Sequence, residues 1–307
     1  MLEAMQRTKS LIRNGPLWLT ASALSFAVMA VVVRIAGGHG IPGSETTLIR
    51  FLFGIGTVGI LHASGTARVV IRRIPLLSAR GILGGIAILL YFLSLSAARG
   101  PGATPLTNSV FLGNSYFIYV PLFGALLIGE RLCLSTAIAV VSALGGLYLV
   151  AQPDLAHIRA GDAYGFFAGI ISGIAIVTVR ELRKTEPSVS IFLSLCVFGS
   201  LVALMGMILE KPIWPDLVGW GLLIAMGITS AAGQLFMTYA FKYTRAGPGG
   251  IIQMTTVIYS SFAGILWFGD PFNGRILIGA LIVLASAAYI SLQVPEACER
   301  NVYTLPH

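Results

Sequence analysis

A chain of 307 residues that is 56% hydrophobic and only 10% charged is no water-soluble globule, because soluble domains carry about 25% charged residues to face water. Its net charge of +8 is not a nucleic-acid footprint, since no soluble basic module or aromatic-rich strand set accompanies it. Cys133, Cys196 and Cys298 are odd in number and unpaired in spacing, which excludes a disulfide framework, and no Cys/His cluster has metal-ligand spacing.

Apolar stretches fill residues 17–36, 44–63, 80–98, 104–128, 134–151, 162–180, 189–209, 217–241, 248–268 and 275–293. Each is close to the roughly 20 residues that cross a bilayer as a helix. The expected fold class is therefore an all-α integral membrane protein with ten transmembrane helices in two inverted five-helix repeats. The expected organisation is a cytoplasmic N-terminal segment 1–16, a first five-helix repeat 17–151, a second 162–293 and a cytoplasmic tail 294–307.

Arg7, Lys9 and Arg13 precede the first stretch as they would in a signal peptide, but that stretch is longer than a signal core and nine more follow it. With the N-terminus inside, the cytoplasmic side collects 14 Lys and Arg, Arg80 among them, and the outer side 5, Arg34 among them. Both termini are thus expected in the cytoplasm of a cell whose inner membrane holds the protein.

The second stretch carries Arg50 about six residues from its outer end, roughly 9 Å deep. There an unpaired guanidinium costs at least about 2.5–3.5 kcal/mol. It reads either as a hook for a carboxylate or as a side chain that snorkels outward or pairs with Glu45. The third stretch offers Tyr91 and Ser94 above Gly81, Gly84 and Gly85, the first and last of which allow close helix approach.

Wound as one helix, the fourth stretch gathers Thr104, Thr107, Asn108, Phe111, Asn114, Ser115 and Tyr119 within an arc of about 140°, with Val110, Gly113, Tyr116 and Phe117 opposite. Asparagines at that depth either line a watery cavity or bond to another helix. Pro121 inside this stretch is a place for a bend. The sixth stretch steps through Gly165, Gly169 and Gly173, a small-residue packing face. Polar stripes follow on the eighth, with Ser230, Gln234 and Thr238, and on the ninth, with Gln253, Thr256 and Ser260. Glu130 and Asp270 stand beside glycine at helix ends, where carboxylates bond the exposed donors that start a helix.

Short segments recur in both sets of five: Val33-Arg34 with Val179-Arg180, Gly100-Pro101-Gly102 with Gly247-Pro248-Gly249, and Leu126 to Glu130 with Leu266 to Asp270. An odd number of crossings per copy places matching elements on opposite sides, the pattern of alternating-access carriers. Together with Thr47-Leu48-Ile49-Arg50-Phe51, these motifs make the chain resemble, over its full length, the EamA-type members of the drug/metabolite transporter superfamily. The second copy departs from that pattern, with Asp270 where Glu is commoner and Leu195 near the place of a matching arginine.

The resemblance implies secondary transport, usually export, of small metabolites such as amino acids. Helices one to four and six to nine would surround a central cavity, with the fifth and tenth peripheral. Uptake of a vitamin or quaternary amine is the runner-up reading. An ATP-driven pump lacks its G-x-x-x-x-G-K-[ST] loop, and an integral membrane enzyme would show clustered acids or a Ser/His pair at one face. No enzymatic activity and no cofactor are expected. The expected partners are a small-molecule substrate and the bilayer, with no nucleic acid; oligomeric state stays open, a monomer being one option. The candidate substrate-binding residues are Arg50, Tyr91, Asn108, Asn114, Ser115, Tyr119, Gln234, Gln253, Thr256 and Ser260.

Overall fold

A computed structural model describes residues 15–66, 68–97, 103–129, 134–152, 159–240 and 246–300. The side chains of 128, 136, 151, 180, 246–251, 287 and 290–300 fall outside that description. Glu130, Cys133, the Arg180 and Cys298 side chains and most of the two expected terminal segments therefore lie outside the described residues.

Among the described residues there are eleven helices and no strand. Helices α1 (Gly15–Gly38), α2 (Gly43–Ala63), α3 (Ile74–Ser96), α4 (Leu106–Gly113), α5 (Tyr116–Ile128) and α6 (Leu134–Ala151) make up the first part of the chain. Helices α7 (Ala160–Leu182), α8 (Ser188–Glu210), α9 (Leu217–Ala240), α10 (Ala246–Phe268) and α11 (Gly274–Arg300) complete it. Seven helical stretches are long and apolar enough to cross a membrane, with α4 and α5 counted as one; Ala137–Val150, Ile252–Phe268 and Gly274–Ser286 are shorter apolar stretches. In hydrocarbon the helix is favoured because it satisfies every backbone group internally. Exposed apolar side chains such as Ile208, Leu209, Leu126 and Trp267 clothe the outside of the bundle, as lipid contact requires.

Local chemistry sets the helix ends. Pro42 and Pro187, both extended with ψ 149, lead into α2 and α8. Gly129 and Gly269 follow α5 and α10 at φ 71 and φ 66, the left-handed stop that glycine adopts without a Cβ clash. Helix α3 begins at Ile74, earlier than the expected 80, because a proline in its first turn is preset for helix and lacks an N–H that would go unused there. Arg80 is consequently part of a helix and not of a loop. Arg34 is likewise helical and buried, its Nη1 donating to the Ala97 carbonyl at 2.9 Å.

The fourth expected helix is two. The chain breaks at Asn114 and Ser115 and not at Pro121, which lies within α5. Asn114 Nδ2 donates to the Val110 carbonyl at 2.8 Å and Ser115 Oγ to the Leu112 carbonyl at 2.6 Å. These side chains offer the preceding carbonyls a local alternative to the helical ladder.

Packing joins the segment before residue 152 to the one after 159. Helix α1 lies along α9 and α10, α3 along α7 and α8, α2 against α8 and α9, and α4 against α7 and α10, while α6 pairs with α11. Close approaches depend on glycine. A Cβ built on Gly85 would lie 2.7 Å from the Gly199 Cα, and one on Gly146 would lie 2.8 Å from the Gly279 carbonyl oxygen. Gly146→Val is therefore expected to lower the thermal midpoint of the detergent-solubilised protein, with about 1–3 kcal/mol of overpacking at the α6–α11 crossing. A midpoint equal to the parent's would show that the two helices can part freely.

Side-chain carboxylates tie the two segments at both ends of the bundle. At one end, Glu210 Oε2 accepts from the Ser44 N–H at 2.8 Å and Asp270 Oδ2 from the Thr107 N–H at 2.7 Å. At the other, Glu186 Oε1 accepts from the Arg72 and Arg73 N–H groups at 2.9 and 2.8 Å, just ahead of α3. Beside it, Lys184 and Arg73 hold the exposed Glu181 carboxyl below its ordinary range.

Candidate binding cavity

A cavity of about 220 Å³ opens between the two segments, with walls from α1, α2, α3, the α4–α5 break, α7, α9 and α10. At about 30 Å³ per water it has room for roughly seven waters, the scale of a small metabolite. Its lining is mostly apolar and aromatic with a few polar groups, as ligand cavities are.

Arg50 supplies the charge. Helix α2 turns it inward, where Nη1 lies 3.3 Å from the Met29 thioether and the guanidinium carbon 5.4 Å from the centre of the Phe92 ring. Cation–π contact and a weak sulfur acceptor soften its burial. Among the described residues no carboxylate pairs with it. Glu45, the partner expected if Arg50 were structural, instead accepts from the Ile213 N–H at 3.3 Å, so neither snorkelling nor that ion pair describes Arg50.

Tyr91 stands on the α3 wall. Its ring fills the space where Gly113 has no Cβ, next to Asn114 at the helix break. Gln253 is held by a chain of donors: its Nε2 donates to Ser22 Oγ at 2.9 Å, and that hydroxyl donates to the Gly233 carbonyl at 2.7 Å. Among the described residues Gln253 Oε1 is left buried and without a partner. Thr256, one turn further along α10, completes this wall.

Five of the expected site residues, Arg50, Tyr91, Asn114, Gln253 and Thr256, thus line one cavity. Gln234 lines a smaller neighbouring space that Arg50 also borders, with Cys196 and Ser230. Asn108, Ser115, Tyr119 and Ser260 do not line the cavity. Asn108 Nδ2 donates to Asp162 at 3.4 Å, and Asp162 is held by Arg159 at 2.6 Å. Ser115 and Tyr119 face the glycines of α7, and Ser260 is fully buried. The expected arc assumed one continuous helix; the break at 114–115 turns Ser115 and Tyr119 away and brings Tyr116 to the cavity.

Phe26, Met29, Ala87, Ile88, Ser172 and Met237 also line the cavity. Most are apolar, so a search for polar stripes passes over them. On α1 the signal was the spacing of Ser22, Phe26, Met29 and Val33, one face at steps of three and four.

Residues 159–292 match the EamA-like transporter family. The pseudopaline exporter CntI of Pseudomonas aeruginosa (strain UCBPP-PA14) is 27% identical over 282 residues, 91% of this chain and 96% of that protein. Human solute carrier family 35 member G1 is 27% identical over 67% of this chain and 59% of its own length. The riboflavin transporter of Vibrio cholerae is 22% identical over 91% of this chain and 93% of its own. A crystal structure 18% identical in sequence superposes with a TM-score of 0.61 over 94% of this chain and 98% of that one, a likeness of fold alone.

Proposed function

We propose, for a chain that belongs to the EamA-type drug/metabolite transporters, secondary active export of small polar or zwitterionic metabolites by alternating access. That it is a multi-pass membrane transporter is the premise; direction, substrate and mechanism are the proposal. The carrying observation is a cavity walled by helices of both segments, with Arg50, Tyr91 and Asn114 from one and Gln253 and Thr256 from the other.

In this reading the chain crosses an inner membrane ten times in two inverted repeats, with both termini cytoplasmic. Helix pairing supports it, since exchanging the two sets of five turns each of the main pairings between the segments into another that occurs. The α1–α9 pair becomes α7–α3, α3–α8 becomes α9–α2, and α10–α1 becomes the α4–α7 contact, while α2–α8, α4–α10 and α6–α11 map onto themselves. The two halves rock about the cavity, and the carboxylate ties at the two ends of the bundle form and part in turn. Relatives named as a pseudopaline exporter and a riboflavin transporter are consistent with small solutes.

Asn114→Leu is expected to reduce flux while leaving membrane expression intact, because it removes a polar group from the cavity wall. Small-molecule profiles of cells and medium should be compared for cells lacking the protein, overproducing it, and overproducing Asn114→Leu. A compound enriched outside only with the parent protein supports export, and its depletion from the medium would replace export by uptake. Full flux in Asn114→Leu would remove that residue from the path.

A further inference from the structure

The two segments differ in one element of the cavity wall. Helix α10 is the counterpart in sequence of the interrupted helix α4–α5, and the match between them needs no gap. Ile118, Tyr119, Gly124, Leu126 and Gly129 recur as Ile258, Tyr259, Gly264, Leu266 and Gly269, each 140 positions later. The break at Asn114 and Ser115 therefore corresponds to Met254 and Thr255. There α10 runs on as one helix from Ala246 to Phe268, yet it carries the same local bond. Thr255 Oγ1 donates to the Ile252 carbonyl at 2.6 Å, as Ser115 Oγ donates to the Leu112 carbonyl at 2.6 Å. A hydroxyl bonded to a carbonyl three residues back competes with the helical ladder, so the alternative realised at Ser115 is already in place at Thr255.

A second observation is where the two places lie. Gly113 and Tyr116 line the cavity together with their counterparts Gln253 and Thr256. Asn114 and Phe117 line a smaller space of about 20 Å³ together with their counterparts Met254 and Val257. The break and the unbroken turn that matches it thus border the same two spaces, one from each segment. The smaller space leaves volume beside Met254 into which α10 can bend, and helices bend where a side chain interrupts the ladder. An α10 opened at 254–255 reshapes the cavity from the wall that the second segment supplies.

We infer that Thr255 is a positioning residue of the transport cycle. It marks a latent break at Met254 and Thr255, which opens α10 as the α4–α5 break closes, so that the two segments exchange shapes about the cavity. This rests on the transport reading, because such an exchange is what turns a cavity between inverted repeats from one side of a membrane to the other. The structure holds the interruption in the first segment. Because the two breaks alternate, disfavouring one shifts the population towards the other.

Hydrogen exchange on the purified full-length protein in detergent reads the two places separately, through peptides spanning 112–118 and 252–258. Thr255→Val removes the hydroxyl and keeps the branched shape. It is expected to slow exchange at 252–258 about fivefold, the scale of one hydrogen bond, and to quicken exchange at 112–118, which it does not alter. Ser115→Ala should do the converse, and Thr255→Ser should restore the parent pattern at both places. Thr178 on α7 makes the same kind of bond, to the Ala175 carbonyl at 2.7 Å, so Thr178→Val is the control and should leave both peptides as in the parent. In cells, Thr255→Val should lose most of the flux and Thr255→Ser should keep it. A change confined to 252–258, or no exchange there in the parent, would overturn the inference and make the Thr255 bond a local one. Full flux in Thr255→Val would overturn it too while leaving transport standing. The reciprocal exchange pattern in a parent protein without flux would do the reverse, keeping the linked breaks and removing the transport reading.

Discussion

Asp270→Ala is expected to destabilise the protein by about 2 kcal/mol, the upper end of what a lost helix cap costs, and Asp270→Asn by clearly less. Asp270 is 8% exposed and stands at the turn after α10, yet its Oδ2 caps a helix of the other segment through the Thr107 N–H at 2.7 Å. Helix α4 needs that cap because its own N-cap residue, Pro105, offers no side-chain acceptor. A lost cap costs about 0.5–2 kcal/mol. Arg34, a buried guanidinium, also feels the Asp270 carboxylate, so losing that charge adds to the cost of the lost cap. Arg34 keeps its bond to the Ala97 carbonyl in either variant, which limits that addition. Asparagine retains an acceptor for Thr107 and loses only the charge. Thermal midpoints of the parent, Asp270→Asn and Asp270→Ala in one detergent check the order. Equal midpoints for the two variants would mean that the cap contributes nothing.

How much of this was legible in the sequence depends on whether a feature is set by composition or by geometry. A crossing helix follows from the length of an apolar run, and each expected run lies on a helix, the fourth on two. Charged residues blur the ends of that signal: Arg80 made the start of α3 look like a loop, although Pro75 marks the first turn. Arg50 announced itself because a cation inside an apolar run has few explanations. Gln253 and Thr256 were visible as a stripe because α10 is continuous over them.

Ser115 and Tyr119 lie off the cavity lining for one physical reason, that angular bookkeeping at 100° per residue fails across a break. The break is made by two side chains bonding their own backbone, and such bonds leave no periodic trace. The α1 wall of the cavity, Phe26 and Met29, is apolar, so only its spacing with Ser22 and Val33 marked it, and a search for polar stripes passes over that signal. The orphan acceptor on Gln253 was beyond reach for a different reason, since it depends on Ser22 and Gly233, more than 200 residues and about 20 residues away in sequence.

Gly169→Leu is expected to lose both fold stability and flux, and to lose more flux than Asn114→Leu. Helix α7 presents Gly165, Gly169 and Gly173 to the interrupted helix. A Cβ on Gly165 would sit 3.0 Å from the Leu112 Cβ, one on Gly169 would sit 2.6 Å from the Leu112 carbonyl oxygen and also against Ser115 Oγ, and one on Gly173 would sit 2.8 Å from the Tyr119 Cβ. Backbone cannot yield as a flexible side chain does, so a larger residue at 169 must push the α4–α5 break away from α7. The residue next to that break is Asn114, and Tyr91 packs on Gly113 just before it. A displacement of the break therefore reaches the cavity wall directly. Gly169→Ala adds a single methyl group and should give an intermediate loss, within the range of about 1–3 kcal/mol typical of overpacking. Gly221, on α9, has nothing within 4 Å of its Cβ position, so Gly221→Ala serves as the control and should match or slightly exceed the parent in stability. Thermal midpoint and flux of the three variants together decide the point. A Gly169→Leu protein as stable and active as Gly221→Ala would mean that α7 does not bear on the break, and that the glycine face is incidental to the cavity.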